Sequence, residues 1–293
     1  MAEQTVIESV RNTMQAEMRR DDSVIFLGED IGARGGVFLA SDGFVEEFGA
    51  SRVIDTPLAE SSICGVALGA AVNGMRPIAE IQFADFVWPA INQIIGEASK
   101  VRYGTYGVKN APMTIRVPYG GGVRGGLYHS QSVEVLFAHT PGLSVVAPAT
   151  PYDMKGLLAS AIRSDDPVIV LEHKRTYRLV KGEVPSEEFT IPIGKAEIKR
   201  PGTDMTVVTY GLMLHYAFQA AELAADSGID VEVLDLRTLR PIDADSITES
   251  VSRTGKVLIV QEDTPAVSIS SEVSAIIGER CFFDLDGPIT RLA

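Results

Sequence analysis

Apolar positions change their spacing repeatedly along the chain, and these changes predict alternating helices and strands. Residues 5–20 carry apolar side chains about four positions apart, which predicts a helix, and the apolar run at 24–27 predicts a buried strand. Further strands are predicted at 52–54, 77–81, 113–117, 144–147 and 168–171, with helices at 61–72, about 85–102 and 152–162. Because both strand faces are apolar, we predict a mainly parallel sheet covered on each side.

A charged, proline-containing stretch interrupts the alternation between His173 and Lys199. We predict a first domain at 1–175, a linker at 176–199 and a second domain at 200–293. The second domain has strands predicted at 205–209, 231–236 and 256–260, with helices at about 214–227, 243–252 and 270–278. The prediction is therefore an α/β chain with two doubly wound domains. A strand pattern begins near the end without a closing helix, so we expect the natural chain to continue beyond Ala293.

Composition and charge narrow the classes of partner. Of 293 residues, 45% are hydrophobic and 22% are charged, as in folded globular proteins. The net charge of −13 disfavours nucleic acid and anionic bilayers as partners. The start resembles no signal peptide and no apolar run is long enough to span a bilayer, so we expect a cytoplasmic protein. Cys64 and Cys281 lie in apolar surroundings, which favours burial over a redox or metal role.

A glycine-rich segment at 120–126 follows a predicted strand and contains a formal G-x-G-x-x-G. A dinucleotide site also needs a helix directly after the glycines and an acid about 20 residues further on. Between Glu134 and Asp153 the chain has no acidic residue. We therefore interpret the segment as a flexible loop that allows close approach of the backbone and ends in His129. A catalytic and a structural role for His129 both remain open.

Two acidic residues are candidates for a site. Glu60 directly precedes a predicted apolar helix, where a carboxylate stabilises the helix dipole by about 0.3–1 kcal/mol. Glu29 follows the first predicted strand, at the edge where open α/β sheets bind ligands. Either residue alone has a structural explanation, but the two together point to a functional site.

Six segments carry a resemblance to a known family. They are residues 27–30, 35–38, 55–60, 80–86, 125–132 and 234–241. Together they make the chain, from Val24 to its end, similar to the beta subunit of the thiamine-diphosphate-dependent first component of 2-oxo acid dehydrogenase complexes, of branched-chain or pyruvate type. This resemblance implies a pyrimidine-binding domain followed by a transketolase C-terminal-type domain.

The resemblance also implies roles for single residues. Glu60 matches the acid that activates the cofactor's aminopyrimidine, and Phe86 matches the aromatic residue that stacks on it. His129 matches a histidine near the substrate, where it serves acyl transfer to lipoamide. Leu58 matches a residue whose backbone lies at the cofactor, and Glu29 extends the acid network behind Glu60. Core packing remains an alternative for Phe86.

Family members of this class hold Mg²⁺ and the diphosphate with a Gly-Asp-Gly motif, which this chain lacks. The resemblance therefore implies an alpha subunit that supplies the Mg²⁺ site, an α₂β₂ heterotetramer and a lipoyl-bearing transacylase core as partner. The expected reaction is oxidative decarboxylation of a small-molecule 2-oxo acid. An acetoin dehydrogenase beta subunit, a fragment of a transketolase-like synthase and a non-catalytic scaffold subunit are the alternatives.

Overall fold

The computed structural model describes all residues 1–293, which form two compact units, Met1–Ile193 and Gly194–Ala293. The first unit extends through much of the range predicted as a linker. There, Thr176–Leu179 form a helix, and Lys181–Val184 form a strand that pairs antiparallel with Ala2–Thr5. Ile191 lies in the core of this unit. These elements are short and carry many charged residues, so they lack the apolar periodicity that the prediction used.

The first unit contains one parallel sheet of six strands and a separate strand pair. In chain order its strands are β1 (Ala2–Thr5), β2 (Val24–Gly28), β3 (Val53–Asp55), β4 (Arg76–Glu80), β5 (Thr114–Tyr119), β6 (Ser144–Val146), β7 (Val168–His173) and β8 (Lys181–Val184). The parallel strands lie in the order β6-β7-β5-β4-β2-β3, and β1 pairs with β8. The predicted mainly parallel sheet is confirmed.

Seven α-helices belong to the same unit. They are α1 (Val6–Arg20), α2 (Phe44–Phe48), α3 (Glu60–Val72), α4 (Val101–Gly104), α5 (Glu134–Ala138), α6 (Pro151–Arg163) and α7 (Thr176–Leu179). Helix α1 begins at a capping box in which Thr5 and Glu8 each bond the other's backbone N–H. Its apolar face, including Met14, packs against Leu157 and Leu158 of α6 in the main core of the unit. Burial of such side chains stabilises the fold by about 1.5–3 kcal/mol each.

The long helix predicted at about 85–102 is wrong. Residues Ala84–Phe86 and Trp88–Ala90 form separate 3₁₀ turns, Asn92–Glu97 form a π-helical turn, and Ala98–Lys100 form a third 3₁₀ turn before α4. Pro89 has no N–H to donate, so an α-helix cannot continue through it from the preceding turn. The break gives Phe86 its own turn directly beyond the end of β4.

The second unit has a mixed five-stranded sheet. The strands of this sheet are β9 (Glu197–Arg200), β10 (Met205–Thr209), β11 (Val231–Asp235), β13 (Val257–Val260) and β14 (Thr290–Leu292). The unit also contains the short strand β12 (Thr238–Arg240), which is not part of this sheet, and the helices α8 (Leu212–Ala225), α9 (Ala244–Thr254) and α10 (Ile269–Arg280). The sheet order is β14-β13-β10-β11-β9, with only β9 antiparallel to its neighbour. The predicted second α/β domain is confirmed. None of the helices is both long and apolar enough to cross a membrane.

Candidate active site

The predicted site residues of the first unit follow the carboxyl ends of neighbouring parallel strands. Glu29 directly follows β2, and Glu60 lies five residues beyond the end of β3. Phe86 follows β4, and the glycine-rich loop with His129 follows β5. Because these four strands are adjacent and parallel, they deliver their loops to one edge of the sheet. This is the edge at which open α/β sheets bind ligands.

Glu60 is the first residue of α3 and is 5% exposed. The preceding residue, Ala59, provides no side-chain cap, and Glu60 is the acidic residue of the first helical turn, where a carboxylate interacts favourably with the positive end of the helix. Leu58, two residues earlier, is 78% exposed. The chain thus buries a carboxylate and exposes a large apolar side chain within three residues.

Glu29 lies in the electrostatic field of Glu60. Burial raises the pKa of the Glu29 carboxyl, and the negative charges of Glu60, Asp30 and Glu80 raise it further. The side-chain amide of Gln82 donates to the backbone oxygen of Glu29 at 3.2 Å, which ties the segment after β2 to the segment after β4. The structure therefore brings the two predicted acids into one acidic cluster.

Phe86 and His129 come together in an aromatic cluster with Phe83. The ring of His129 meets Phe83 edge-on at a centroid distance of 4.6 Å and Phe86 at 5.5 Å. Phe83 and Phe86 are themselves 5.7 Å apart. The Nζ atom of the buried Lys174 lies 5.5 Å from the centroid of the Phe83 ring, within the range of a cation–π contact. Phe86 is half-buried, so its ring is only partly used by the protein core.

Glycine is required where the loop leaves β5. Gly120 has φ of +81°, and a Cβ there would lie 2.1 Å from Nε2 of His173. Its N–H donates to the carbonyl oxygen of Gln131 at 3.0 Å, which closes the loop at its base. Within the loop, Nδ1 of His129 lies 3.0 Å from the carbonyl oxygen of Gly125. The flexibility expected of this glycine-rich loop stays a prediction.

A fully buried ionic network lies in the sheet, and it was not predicted from the sequence. Arg116 on β5 donates from Nε and Nη2 to the two carboxylate oxygens of Glu172, both at 2.7 Å, and also pairs with Glu80. Tyr177 donates to Glu172 as well. The pKa of Glu80 is raised because burial disfavours its charge more than Arg116 favours it. The sequence signal that indicates this network is Arg116, the one charged residue in the apolar run 113–117. A charge buried in a strand requires oppositely charged partners.

The site contains no metal cluster formed by the chain alone. No group of three or more His, Cys, Asp or Glu side chains is placed to hold a metal ion. A separate surface pocket is lined by residues from the segments 95–111, 139–144 and 166–167. None of the predicted site residues lines that pocket. The chemistry is therefore concentrated in the acidic pair and the aromatic cluster.

Comparison with known proteins defines the class to which the fold belongs. Residues 2–180 match the family model of the transketolase pyrimidine-binding domain, and residues 194–293 match that of the transketolase C-terminal domain. A solved structure described as a split-gene transketolase, an inactive beta4 tetramer, superposes with a TM-score of 0.76. The match covers 98% of this chain and 88% of that one at 22% identity, so it supports the fold alone. The pyrimidine-binding family implies thiamine diphosphate as cofactor.

Closer relatives identify the branch of this class. The chain is 58% identical to the 2-oxoisovalerate dehydrogenase subunit beta of Bacillus subtilis (strain 168), over all 293 residues and 90% of the relative. It is 47% identical, with the same coverage, to the pyruvate dehydrogenase E1 component subunit beta of that organism. The chain belongs to the family of beta subunits of the 2-oxo acid dehydrogenase first component.

Proposed function

We propose that the chain is the beta subunit of an enzyme that oxidatively decarboxylates a 2-oxo acid and transfers the acyl group to a lipoyl-bearing transacylase. The observation that carries this proposal is the buried carboxylate of Glu60 at the start of α3, in one acidic cluster with Glu29. Two relatives, named for 2-oxoisovalerate dehydrogenase and pyruvate dehydrogenase, support the same reaction class.

The residues fit thiamine diphosphate by their chemistry. The cofactor has a flat, polar aminopyrimidine ring. A protein that binds this ring needs a carboxylate to hydrogen-bond its edge and an apolar side chain to stack on its face. The buried Glu60 supplies the first, and the half-buried ring of Phe86 supplies the second. Helix α3 packs against the turn Trp88–Ala90, which follows the Phe86 turn almost directly. This packing holds the segment directly after Phe86 against the helix that begins at Glu60.

Thiamine diphosphate, when bound, supplies the electron sink that decarboxylation of a 2-oxo acid requires. Glu60 would hold a proton shared with the pyrimidine ring, which needs a fixed carboxylate shielded from water. Phe86 would stack on the pyrimidine, and the backbone of Leu58 would bind its edge. Glu29 would extend the acidic network on the side of Glu60 that faces away from the cofactor. His129 would orient the substrate or move a proton during acyl transfer.

A partner subunit is needed to complete this site. The chain has no Gly-Asp-Gly motif, and no cluster of ligands in the structure could hold Mg²⁺ for the diphosphate. Large apolar side chains are also exposed on the segments that carry the site: Leu58, Trp88, Leu127 and Tyr128 are between 53% and 78% exposed. An alpha subunit that covers these side chains and supplies the Mg²⁺ site would form an α₂β₂ heterotetramer with this chain.

Substrate choice follows the closer relative. Identity to the 2-oxoisovalerate dehydrogenase subunit exceeds identity to the pyruvate dehydrogenase subunit, 58% against 47% over the same 293 residues. We therefore propose a branched-chain 2-oxo acid as the preferred substrate, with pyruvate as the second candidate.

The test is to assay the chain alone and assembled with its alpha partner, with thiamine diphosphate, Mg²⁺ and a lipoyl domain. We expect turnover only in the assembled enzyme, with a higher kcat/KM for 2-oxoisovalerate than for pyruvate and none for acetoin. Calorimetry on the isolated chain should show no tight Mg²⁺-dependent binding. Micromolar binding by the chain alone would contradict the proposal that two subunits share the cofactor site. Turnover of acetoin but of neither 2-oxo acid would assign the acetoin dehydrogenase reaction instead.

A further inference from the structure

We propose that Asp85 is a positioning residue that fastens the His129 loop to the turn carrying Phe86. This inference rests on the proposed function for its catalytic consequence, although the fastening itself does not. Asp85 is the middle residue of the 3₁₀ turn Ala84–Phe86, directly before Phe86, and it is 6% exposed. A carboxylate so deeply buried must find hydrogen-bond donors within the protein.

Its donors come from the segment that follows His129. The Oδ1 atom of Asp85 accepts the backbone N–H groups of Ser130 at 3.2 Å and of Gln131 at 3.3 Å. The Oδ2 atom is buried and has no hydrogen-bond partner in the protein. Both hydrogen bonds of this carboxylate therefore go to consecutive residues of one loop, so the carboxylate holds the main chain of that loop against the Phe86 turn.

The remaining contacts of the loop explain why it needs this fastening. The His129 ring bonds Gly125, and the Ser130 hydroxyl donates to the carbonyl oxygen of Gly126 at 2.7 Å. These bonds stay within the loop and do not tie it to the rest of the unit. The loop is closed at its base by Gly120, and it contacts the neighbouring turn through the ring of His129 and through the two hydrogen bonds to the Asp85 carboxylate.

The result is a two-point attachment of His129. Phe83 and Phe86 hold its ring from the side, while Asp85 holds the main chain one and two residues further on. Charge-assisted hydrogen bonds to backbone N–H groups are stronger than neutral ones. Loss of the carboxylate should therefore release the main chain while the rings remain, so that His129 keeps its neighbours on average but loses its fixed orientation.

Hydrogen exchange on the full chain tests the fastening independently of any activity. In Asp85→Ala we expect the Ser130 and Gln131 amides to exchange about tenfold faster than in the unsubstituted chain, as loss of a charged acceptor predicts. Asp85→Asn keeps an acceptor oxygen and should restore most of the protection. The control is Asp243→Ala, since Asp243 is 5% exposed and accepts backbone N–H groups from Ser246 and Ala196 in the other unit. It should leave exchange at the loop unchanged.

The assembled enzyme tests the consequence for His129. We expect Asp85→Ala to lower kcat for lipoyl acylation about tenfold, to leave decarboxylation measured with an artificial electron acceptor within about twofold, and to be rescued by Asp85→Asn. Unchanged amide exchange in Asp85→Ala would overturn the fastening. Faster exchange with unchanged acylation, or failure of Asp85→Asn to rescue it, would overturn the positioning role. If the unsubstituted assembly is itself inactive, the proposed function fails while the exchange result still decides the fastening.

Discussion

The acidic side and the histidine side of the candidate site differ in how firmly the protein holds them. Glu60 and Glu29 are 5% and 6% exposed; Glu60 is the first residue of a helix, and Glu29 directly follows strand β2. His129 belongs to a loop whose neighbouring residues, Leu127 and Tyr128, are 72% and 69% exposed. Regular structure therefore fixes the acids, whereas a few side-chain contacts fix the histidine.

This difference suits the two tasks in the proposed reaction. A carboxylate that shares a proton with the pyrimidine ring needs a fixed position and little water around it, because water would compete with the ring for the proton. A group that serves acyl transfer must admit a large lipoyl-bearing partner and therefore has to lie at an accessible edge. Substitutions on the two sides should consequently affect different steps and by different amounts.

The largest effect is expected from Glu60→Gln. The amide is nearly the same size but cannot share a proton as the carboxylate does, so turnover of the assembled enzyme should fall by about 10²–10⁴-fold. Assembly with the alpha partner and the free energy of unfolding should change little, since the helix-dipole contribution of this residue is only about 0.3–1 kcal/mol. Steady-state kinetics measures turnover, size-exclusion chromatography measures assembly, and urea unfolding measures the free energy of unfolding. Near-normal turnover with correct assembly would leave Glu60 only its role at the helix start.

His129→Ala should have a smaller and more selective effect. We expect lipoyl acylation to fall by roughly 10²-fold, the low end for a positioned proton-transfer group, while decarboxylation with an artificial acceptor is retained. Parallel assays of the two steps on the same assembled variant provide the measurement. His139→Ala is the control, because His139 lies on the separate pocket lined by 139–144. Equal losses in both steps would remove the distinction between the two sides of the site.

The sequence predicted the regular parts of the molecule better than its irregular ones. The helix at Val6–Arg20 has apolar residues at a clear helical spacing, whereas the helix at Glu60–Val72 and the buried strands are mainly apolar on all sides. The structure has these elements within one or two residues of the predicted bounds. The helix predicted at about 85–102 failed because its apolar pattern continues through Pro89, while its hydrogen bonding cannot. The short elements of 176–184 were missed because strand β8 is held by pairing rather than by a buried face.

The candidate site shows the same division. Glu29, Leu58, Glu60, Phe86 and His129 were selected through motifs, and the structure places them on adjacent loops, although their roles stay predictions. Phe83, Asp85 and Lys174 were not selected, because their importance lies in contacts between segments that are distant in sequence: the loop after β5 and the end of β7 meet the turn after β4 only in the folded chain. No local spacing encodes such a contact.

The smallest expected effect concerns the pH dependence of stability, and it sharpens the claim that Glu29 belongs to an acidic cluster. Burial and the charges of Glu60, Asp30 and Glu80 raise the Glu29 pKa in the folded chain. The folded state therefore holds this proton more tightly than the unfolded state, and stability falls as the pH rises from the ordinary glutamate value of about 4.3 through the raised one. Glu29→Gln should remove this loss, so the variant should gain stability relative to the unsubstituted chain as the pH rises.

Glu8 provides a control of opposite sign. Hydrogen bonds from the backbone and side chain of Thr5 lower the pKa of Glu8, so its ionised form stabilises the folded chain above the ordinary value, and that stabilisation is lost as the pH falls. Glu8→Gln should therefore lose stability relative to the unsubstituted chain as the pH rises, whereas Glu29→Gln gains it. Urea unfolding of the three chains between pH 4 and 8 gives both slopes. If Glu29→Gln followed the sign of Glu8→Gln, Glu29 would be a stabilising carboxylate and not a charge held against its neighbours.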